Sequence, residues 1–373
     1  MKRIREPASA SASPPGDGGR RVGDTMNKAC ILTLAIAASG TAACGIAKTA
    51  GRDGFIAPHE PLITHLYTAD PSAHVFEDAL YLYPSHDLDS PGARSKDGGE
   101  YDMKDYHVFS MKTVGGPVVD HGRVLSLEDI PWAAKQLWAP DAAYRDGTYY
   151  LYFPAKDVNG IFRIGVAASP APSGPFAPQA EPIPGVFGID PAVFLDGGAA
   201  YLYFGGLWGG QLEKWSGGTF DAAGLEPSPG EPALGPRVVR LAPSMLAAEG
   251  PVQEIVILDE AGMPLRAGDH ERRFFEGAWV HTYRGRYYLS YSTGDTHYLA
   301  YAIGDSPTGP FTYAGRLLEP VLGWTTHHSI VRYRDVWYLF YHDSSLSGGK
   351  NHLRCVKYAR IEYDDRGLMR VVK

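Results

Sequence analysis

One arrangement of polar and apolar positions occurs five times along this chain. In each copy a polar residue stands just before a short apolar run, a turn containing Gly or Asp follows, and an aromatic strand comes next. One copy reads Phe274-Phe275-Glu276-Gly277-Ala278-Trp279-Val280, then Arg284-Gly285, then Tyr287-Tyr288-Leu289-Ser290-Tyr291. The other four are headed by Asp70 (before Pro71, with Tyr81-Leu82-Tyr83 following), Asp141 (with Tyr149-Tyr150-Leu151-Tyr152), Asp190 (before Pro191, with Tyr201-Leu202-Tyr203) and His327 (with Trp337-Tyr338-Leu339-Phe340-Tyr341). Each copy predicts a strand, a turn and a second strand.

The heads are separated by 71, 49, 86 and 51 residues. A constant pattern at variable spacing is one supersecondary unit repeated with loop insertions, which predicts an all-β, five-bladed β-propeller. A second phrase supports this. Ser169-Pro170-Ala171-Pro172-Ser173-Gly174-Pro175-Phe176 follows the second unit and Ser306-Pro307-Thr308-Gly309-Pro310-Phe311 the fourth, each after an alternating apolar run, which reads as the exit turn of equivalent blades. Closing five sheets around an axis removes their long exposed edges, and the inner strand of every blade then lines the central channel. The five heads therefore meet at one mouth of that channel, however far apart they lie in sequence.

Composition agrees with this fold. The 373 residues include 44 Gly, 29 Pro and 23 Tyr, many turn formers and strand-favouring aromatics. The net charge of -7, with no basic patch beyond Lys2-Arg3 and Arg20-Arg21, argues against a nucleic-acid partner and favours a neutral one.

The propeller is expected over residues 55–373. Residues 1–25, rich in Ser, Pro, Gly and Arg without periodicity, read as a disordered leader or a mis-assigned start. Residues 26–50 read as an export signal: Met26-Asn27-Lys28 is basic, Ala29 to Ser39 apolar, and Thr41-Ala42-Ala43-Cys44 a cleavage region. The expected location is periplasmic or extracellular. Cys44 raises a lipid anchor as one alternative and ordinary signal cleavage nearby as the other. The chain ends soon after the fifth unit, so no further β-sandwich is expected, and the stretch between residues 205 and 273 reads as a long insertion whose part from Glu226 to Pro236 walls the pocket.

Four of the five converging heads are acidic, and such carboxylates repel one another unless chemistry or a cation uses them. The chain has no Gly-x-Ser-x-Gly elbow, no Walker sequence and no His pair at zinc-helix spacing. Paired carboxylates facing a neutral, hydroxyl-rich substrate point to glycoside hydrolysis, in which one acid is protonated and the other ionised. Glu276, between Phe274-Phe275 and Ala278-Trp279, has the desolvating neighbours that make a better acid. Asp70 and Asp190 are candidates for the base and for a carboxylate that tunes the acid, and the residues alone do not rank the aspartates. Trp138, Trp208, Trp279 and Trp324 are candidate sugar-stacking faces.

Several phrases carry a family resemblance: Ala69-Asp70-Pro71-Ser72, Trp138-Ala139-Pro140-Asp141, Gly188-Ile189-Asp190-Pro191, Phe275-Glu276-Gly277-Ala278-Trp279 and Ser292-Thr293-Gly294-Asp295-Thr296-His297. The chain resembles family 43 glycoside hydrolases from about Ile63 to the last blade. Tyr83-Pro84-Ser85-His86-Asp87, Phe204 to Gln211 and Trp324 to Ser329 resemble its β-xylosidase/α-L-arabinofuranosidase branch. The resemblance implies an inverting exo-hydrolase that releases xylose or L-arabinose from non-reducing ends of small hemicellulose fragments. It implies Asp70 as general base, Glu276 as general acid and Asp190 as the aspartate that orients the acid and tunes its pKa, with Asp141 structural. It also implies Arg354 as a substrate contact, no required cofactor, and His327 holding a water of a calcium ion on the axis, with His328 as the rival. An endo-acting arabinanase of the same fold and a non-catalytic sugar-binding propeller are the alternatives.

Overall fold

The computed structural model describes residues 55–90 and 98–372. The leader, the export signal and Cys44 lie outside the described residues. Five antiparallel sheets follow one another along the chain, one for each repeat. The first blade is β1 (Tyr67–Phe76), β2 (Ala79–Asp87), β3 (Asp105–Met111) and β4 (Val119–Ser126). The second is β5 (Asp141–Arg145), β6 (Thr148–Lys156), β7 (Phe162–Ser169) and β8 (Ala177–Pro178), and the third is β9 (Ala192–Asp196), β10 (Ala199–Phe204), β11 (Arg237–Leu241) and β12 (Ala248–Glu254). The fourth blade is β14 (Phe274–Tyr283), β15 (Arg286–Thr293), β16 (Leu299–Gly304) and β17 (Phe311–Leu318), with β13 (Ile257–Leu258) added in parallel outside β17. The fifth is β18 (His328–Tyr333), β19 (Val336–Asp343), β20 (Cys355–Tyr363) and β21 (Met369–Val372).

The aromatic runs found in the sequence form the second strand of every blade. Tyr83, Tyr152, Tyr203, Tyr291 and Phe340 on these strands are buried almost completely between neighbouring sheets. The hydroxyls of the four tyrosines reach backbone carbonyls, as Tyr152 does to Met245 O and Tyr203 to Pro307 O, so the polar tips are satisfied where the rings are buried.

Two sequence expectations need correction. The Pro-Gly-Pro phrases do not lead out of a blade but join its third strand to its fourth, β7 to β8 and β16 to β17. Residues 205–273 are not a single insertion, because β11 and β12, the two outer strands of the third blade, lie within them. The charged and exposed pattern of Ala248–Glu254 hid it as a strand, whereas Arg237–Leu241 is mostly buried.

The ring closes without exchanging a strand between blades. β21 pairs with β20 only from Arg360 to Tyr363. Along the rest of β20 the segment leading into β1 donates His59 N–H to Tyr358 O (2.8 Å) and Leu62 N–H to Val356 O (2.8 Å), and Thr68 of β1 donates its N–H to the carbonyl of Arg354 just before β20 (2.9 Å). The first and last parts of the propeller thus satisfy one another's backbone groups.

Candidate active site

Four of the five heads, Asp70, Asp190, Glu276 and His327, line one cavity, whereas Asp141, at the start of β5, does not. Asp70 lies in β1, at a bulge between Ala69 and Ser72, with φ +49°. Asp190 precedes β9 with φ +54°, and Glu276 sits between two register shifts in β14. Bulges re-aim side chains, and here two bulges and the left-handed backbone of Asp190 turn three carboxyls towards one cavity. That cavity, of about 520 Å³, is lined by Asp70, Asp190 and Glu276 together with Arg354, His327 and three tryptophans.

Asp70 is anchored at both oxygens: Arg354 Nη1 donates to Oδ1 (2.8 Å) and Ser85 Oγ to Oδ2 (2.7 Å). Its backbone N–H donates to His342 Nδ1 (2.9 Å). That bond assigns the proton of the imidazole to Nε2, which donates to Thr325 O (3.1 Å). Burial pushes the Asp70 carboxyl up, but Arg354, His342, His327 and the Ser85 hydroxyl outweigh it and hold Asp70 at about 2. Arg354 is clamped from behind by Asp87, which accepts its backbone N–H (2.8 Å), its Nε (2.9 Å) and its Nη2 (2.8 Å). The fork geometry of the guanidinium serves two carboxylates at once.

Glu276 has no such cation of its own. Burial and the negative charge of Asp70 raise its carboxyl to about 8, against a smaller lowering by Arg354. Ile189, Leu207 and Phe275 line the same cavity, and Gly206 comes so close that a Cβ there would lie 3.2 Å from Glu276 Cβ. Gly277, with φ +68°, lets the chain turn past the His327 ring, and its N–H donates to Asp190 Oδ2 (2.9 Å). Asp190 is raised well above the carboxylate range by burial and by the charges of Glu276 and Asp70. One guanidinium committed to Asp70 leaves Asp190 and Glu276 to hold protons between them, so the three carboxyls differ in protonation although they share a pocket.

The other expected residues divide. Trp138, Trp208 and Trp324 line the cavity, the last two stacked with ring centroids 6.4 Å apart. Trp208 Nε1 donates to Glu226, which also pairs with Arg273 (2.9 Å), so the Glu226 stretch supports the wall from behind. Trp279 does not line the cavity. Its Nε1 donates to Ile330 O (3.0 Å) and its ring meets His74 (5.5 Å), which makes it a packing residue between inner strands. Asp141 is occupied by Ser72, His74 and the Val193 N–H, in line with a structural role.

His327 lines the cavity with its Nε2 3.7 Å from Asp190 Oδ2, and both its ring nitrogens are buried without a hydrogen-bond partner. His328 points away from the cavity into the sheet, where its Nε2 meets Ser290 Oγ (2.6 Å). Sequence reasoning missed Asp87, His342, Thr325 and Tyr101, over whose ring the Arg354 guanidinium lies at 5.0 Å. For Asp87 the signal was present in the Tyr83-to-Asp87 phrase. His342 heads no repeat and left none.

Comparison with known proteins identifies the family. The family model described as glycosyl hydrolases family 43 matches residues 59–369. The chain is 62% identical over 317 residues to xylosidase/arabinosidase 43A of Humicola insolens, covering 82% of this chain and 97% of that protein. It is 54% identical over 303 residues to a xylosidase/arabinosidase of Bacteroides ovatus, covering 81% and 93%. Among solved structures, a family 43 β-xylosidase/α-arabinofuranosidase from a compost microbial metagenome, in complex with xylotriose and in a calcium-free form, superposes with a TM-score of 0.83 at 57% identity, covering 84% of this chain and 96% of that one. With its five blades, its shared pocket of unlike carboxyls and a family match along nearly the whole described length, this chain belongs to glycosyl hydrolase family 43 and is a glycoside hydrolase.

Proposed function

We propose that the protein is an inverting exo-glycosidase releasing xylose or L-arabinose from the non-reducing ends of xylo- and arabinoxylo-oligosaccharides. The observation that carries this reading is the opposite protonation of two carboxyls in one cavity, Glu276 at about 8 and Asp70 at about 2. The substrate class is supported by the names of its relatives and by the neighbour solved with xylotriose.

In this reading Asp70 takes a proton from a water as that water's oxygen bonds to the anomeric carbon. Glu276 gives its proton to the departing glycosidic oxygen as the old bond breaks. The water enters opposite the leaving group, so the anomeric configuration inverts. Asp190 accepts the Gly277 N–H beside Glu276 and shares the protons of the pocket with it, and so orients the acid and tunes its pKa. Arg354 prevents Asp70 from being protonated before water arrives. Trp208, Trp324 and Trp138 present rings to the C–H faces of the sugar.

An axial calcium fits one feature of the site, the buried His327 imidazole with two unpaired nitrogens. A hard cation prefers oxygen, so His327 would hold a water of its shell, and the ion would supply positive charge beneath the pocket. Export through the Met26-to-Cys44 signal belongs to the same reading.

Hydrolysis of the two chromogenic pentosides, followed by NMR of the newly formed anomer, tests the proposal. Release of the inverted sugar, with at least about a hundredfold loss in Asp70→Asn, is expected. Product analysis on linear arabinan separates the endo-acting alternative: internal cleavage without release of single pentoses would replace the exo reading.

A further inference from the structure

We propose that His86, Asp105 and His107 on the first blade form a binding site for a borderline divalent transition metal such as zinc, separate from the catalytic pocket. One ligand atom from each of the three lies within 4.8 Å of the other two, the one such set among the described residues. His86 Nδ1 is 2.5 Å from Asp105 Oδ1, and the His86 and His107 rings are 5.2 Å apart at 63°. Asp105 and His107 are two residues apart on β3, so both project from the same face of the sheet. All three are partly exposed, which leaves an ion a way in.

The surroundings resemble the support that metal-bound imidazoles require. His107 Nδ1 lies 3.1 Å from Asp120 Oδ1, and His65 Nε2 is 2.8 Å from the other oxygen of the same carboxylate. With its Nδ1 proton directed at Asp120, His107 keeps the lone pair on Nε2, and a carboxylate behind a ligating histidine is the usual way that ring is oriented. Two imidazoles and one carboxylate suit zinc and the later first-row metals. They are too few oxygens for calcium.

The position gives the site a purpose. β2 and β3 pair only from Leu80 to Leu82 with Phe109 to Met111, so their other ends are not joined by ladder hydrogen bonds. His86 and Asp105 stand at those open ends. Residues 98–104, which lead into β3, carry Glu100, Tyr101 and Met103 into the wall of the catalytic pocket. An ion held there ties together the two roots of that wall, and the neighbouring Asp87 is the residue that clamps Arg354.

The test uses the full protein after chelation, titrated with zinc chloride by calorimetry. One equivalent is expected to bind at the cluster, with affinity reduced at least about tenfold in His107→Gln. Metal-free His107→Gln should match metal-free wild type in turnover, and zinc should raise the melting temperature of wild type only. Crystals of wild type soaked in zinc give a readout independent of any variant, because anomalous density at the zinc edge should fall between His86, Asp105 and His107. Density at His327 alone, no density, or equal affinity in wild type and His107→Gln overturns the proposal.

Discussion

Replacing Glu276 by Gln removes a proton donor while keeping the shape of the side chain. A carboxyl that titrates at about 8 is about nine-tenths protonated at pH 7, against about 0.3% for one at the ordinary 4.5. The pocket therefore raises the population of the acid form about 300-fold at neutral pH, and this gain exists only because Glu276 is desolvated and faces Asp70. With xylobiose, whose leaving group needs that proton, kcat in Glu276→Gln should fall by about 10² to 10⁴. With an aryl xyloside whose phenol is acidic enough to leave unaided, the loss should shrink to about tenfold or less. In wild type kcat/KM should decline on the alkaline side through about pH 8, and this limb should be absent from the variant. Steady-state kinetics on both substrates from pH 4 to 10 make the measurement. An equal loss on both leaving groups, or an alkaline limb that survives the substitution, would refute the assignment of the acid.

Stability supplies further checks. The carboxyl of Glu276 is raised in the folded state, so its contribution is fully present below about pH 4.5 and is lost as pH rises through about 8. Glu276→Gln should accordingly gain melting temperature relative to wild type at pH 9 and little at pH 4, read by calorimetry. Asp70 has the opposite sign: its folded value of about 2 stabilises above about pH 4 and is lost as pH falls through 2, so Asp70→Asn should flatten the acid side of the stability curve. Asp87→Asn loosens Arg354, and the acid limb of kcat/KM should move upwards while substrate affinity changes less. Trp208→Ala should raise KM for xylotriose several-fold. Trp279→Ala should instead cost about 3–5 kcal/mol of stability in denaturant titrations, because the ring it removes fills the space between inner strands and not the pocket.

The five heads were legible because each begins an inner strand, and ring closure turns equivalent sequence positions into neighbours. The raised carboxyl of Glu276 was legible too, since Phe275 and the residues around it are apolar in the sequence as in the cavity. Trp279 misled because composition marks an aromatic residue near a catalytic one without saying which space it fills, and the bulges around Glu276 break the strand alternation that would have said so. The outer strands of the third blade escaped notice because one of them, Ala248–Glu254, is polar and exposed along most of its length. What Asp87 and His342 do could be found only from coordinates, although Asp87 stands in a phrase that drew attention: each acts through a hydrogen bond to a residue more than 260 positions away, and no local pattern encodes that.

The seam at which the segment before β1 lies along β20 also reaches the catalytic centre, because Thr68 N–H binds the carbonyl of the same Arg354 whose side chain reaches Asp70 across 284 residues of sequence. Catalytic competence is thus expected late in folding, when the two ends of the polypeptide dock. A refolding chain with four finished blades and an open seam would bear tryptophans, an acid and a sugar-sized hollow, yet hydrolyse nothing. Recovery of turnover after dilution from denaturant should lag behind recovery of tryptophan fluorescence, as expected when the contacts of highest sequence separation form last.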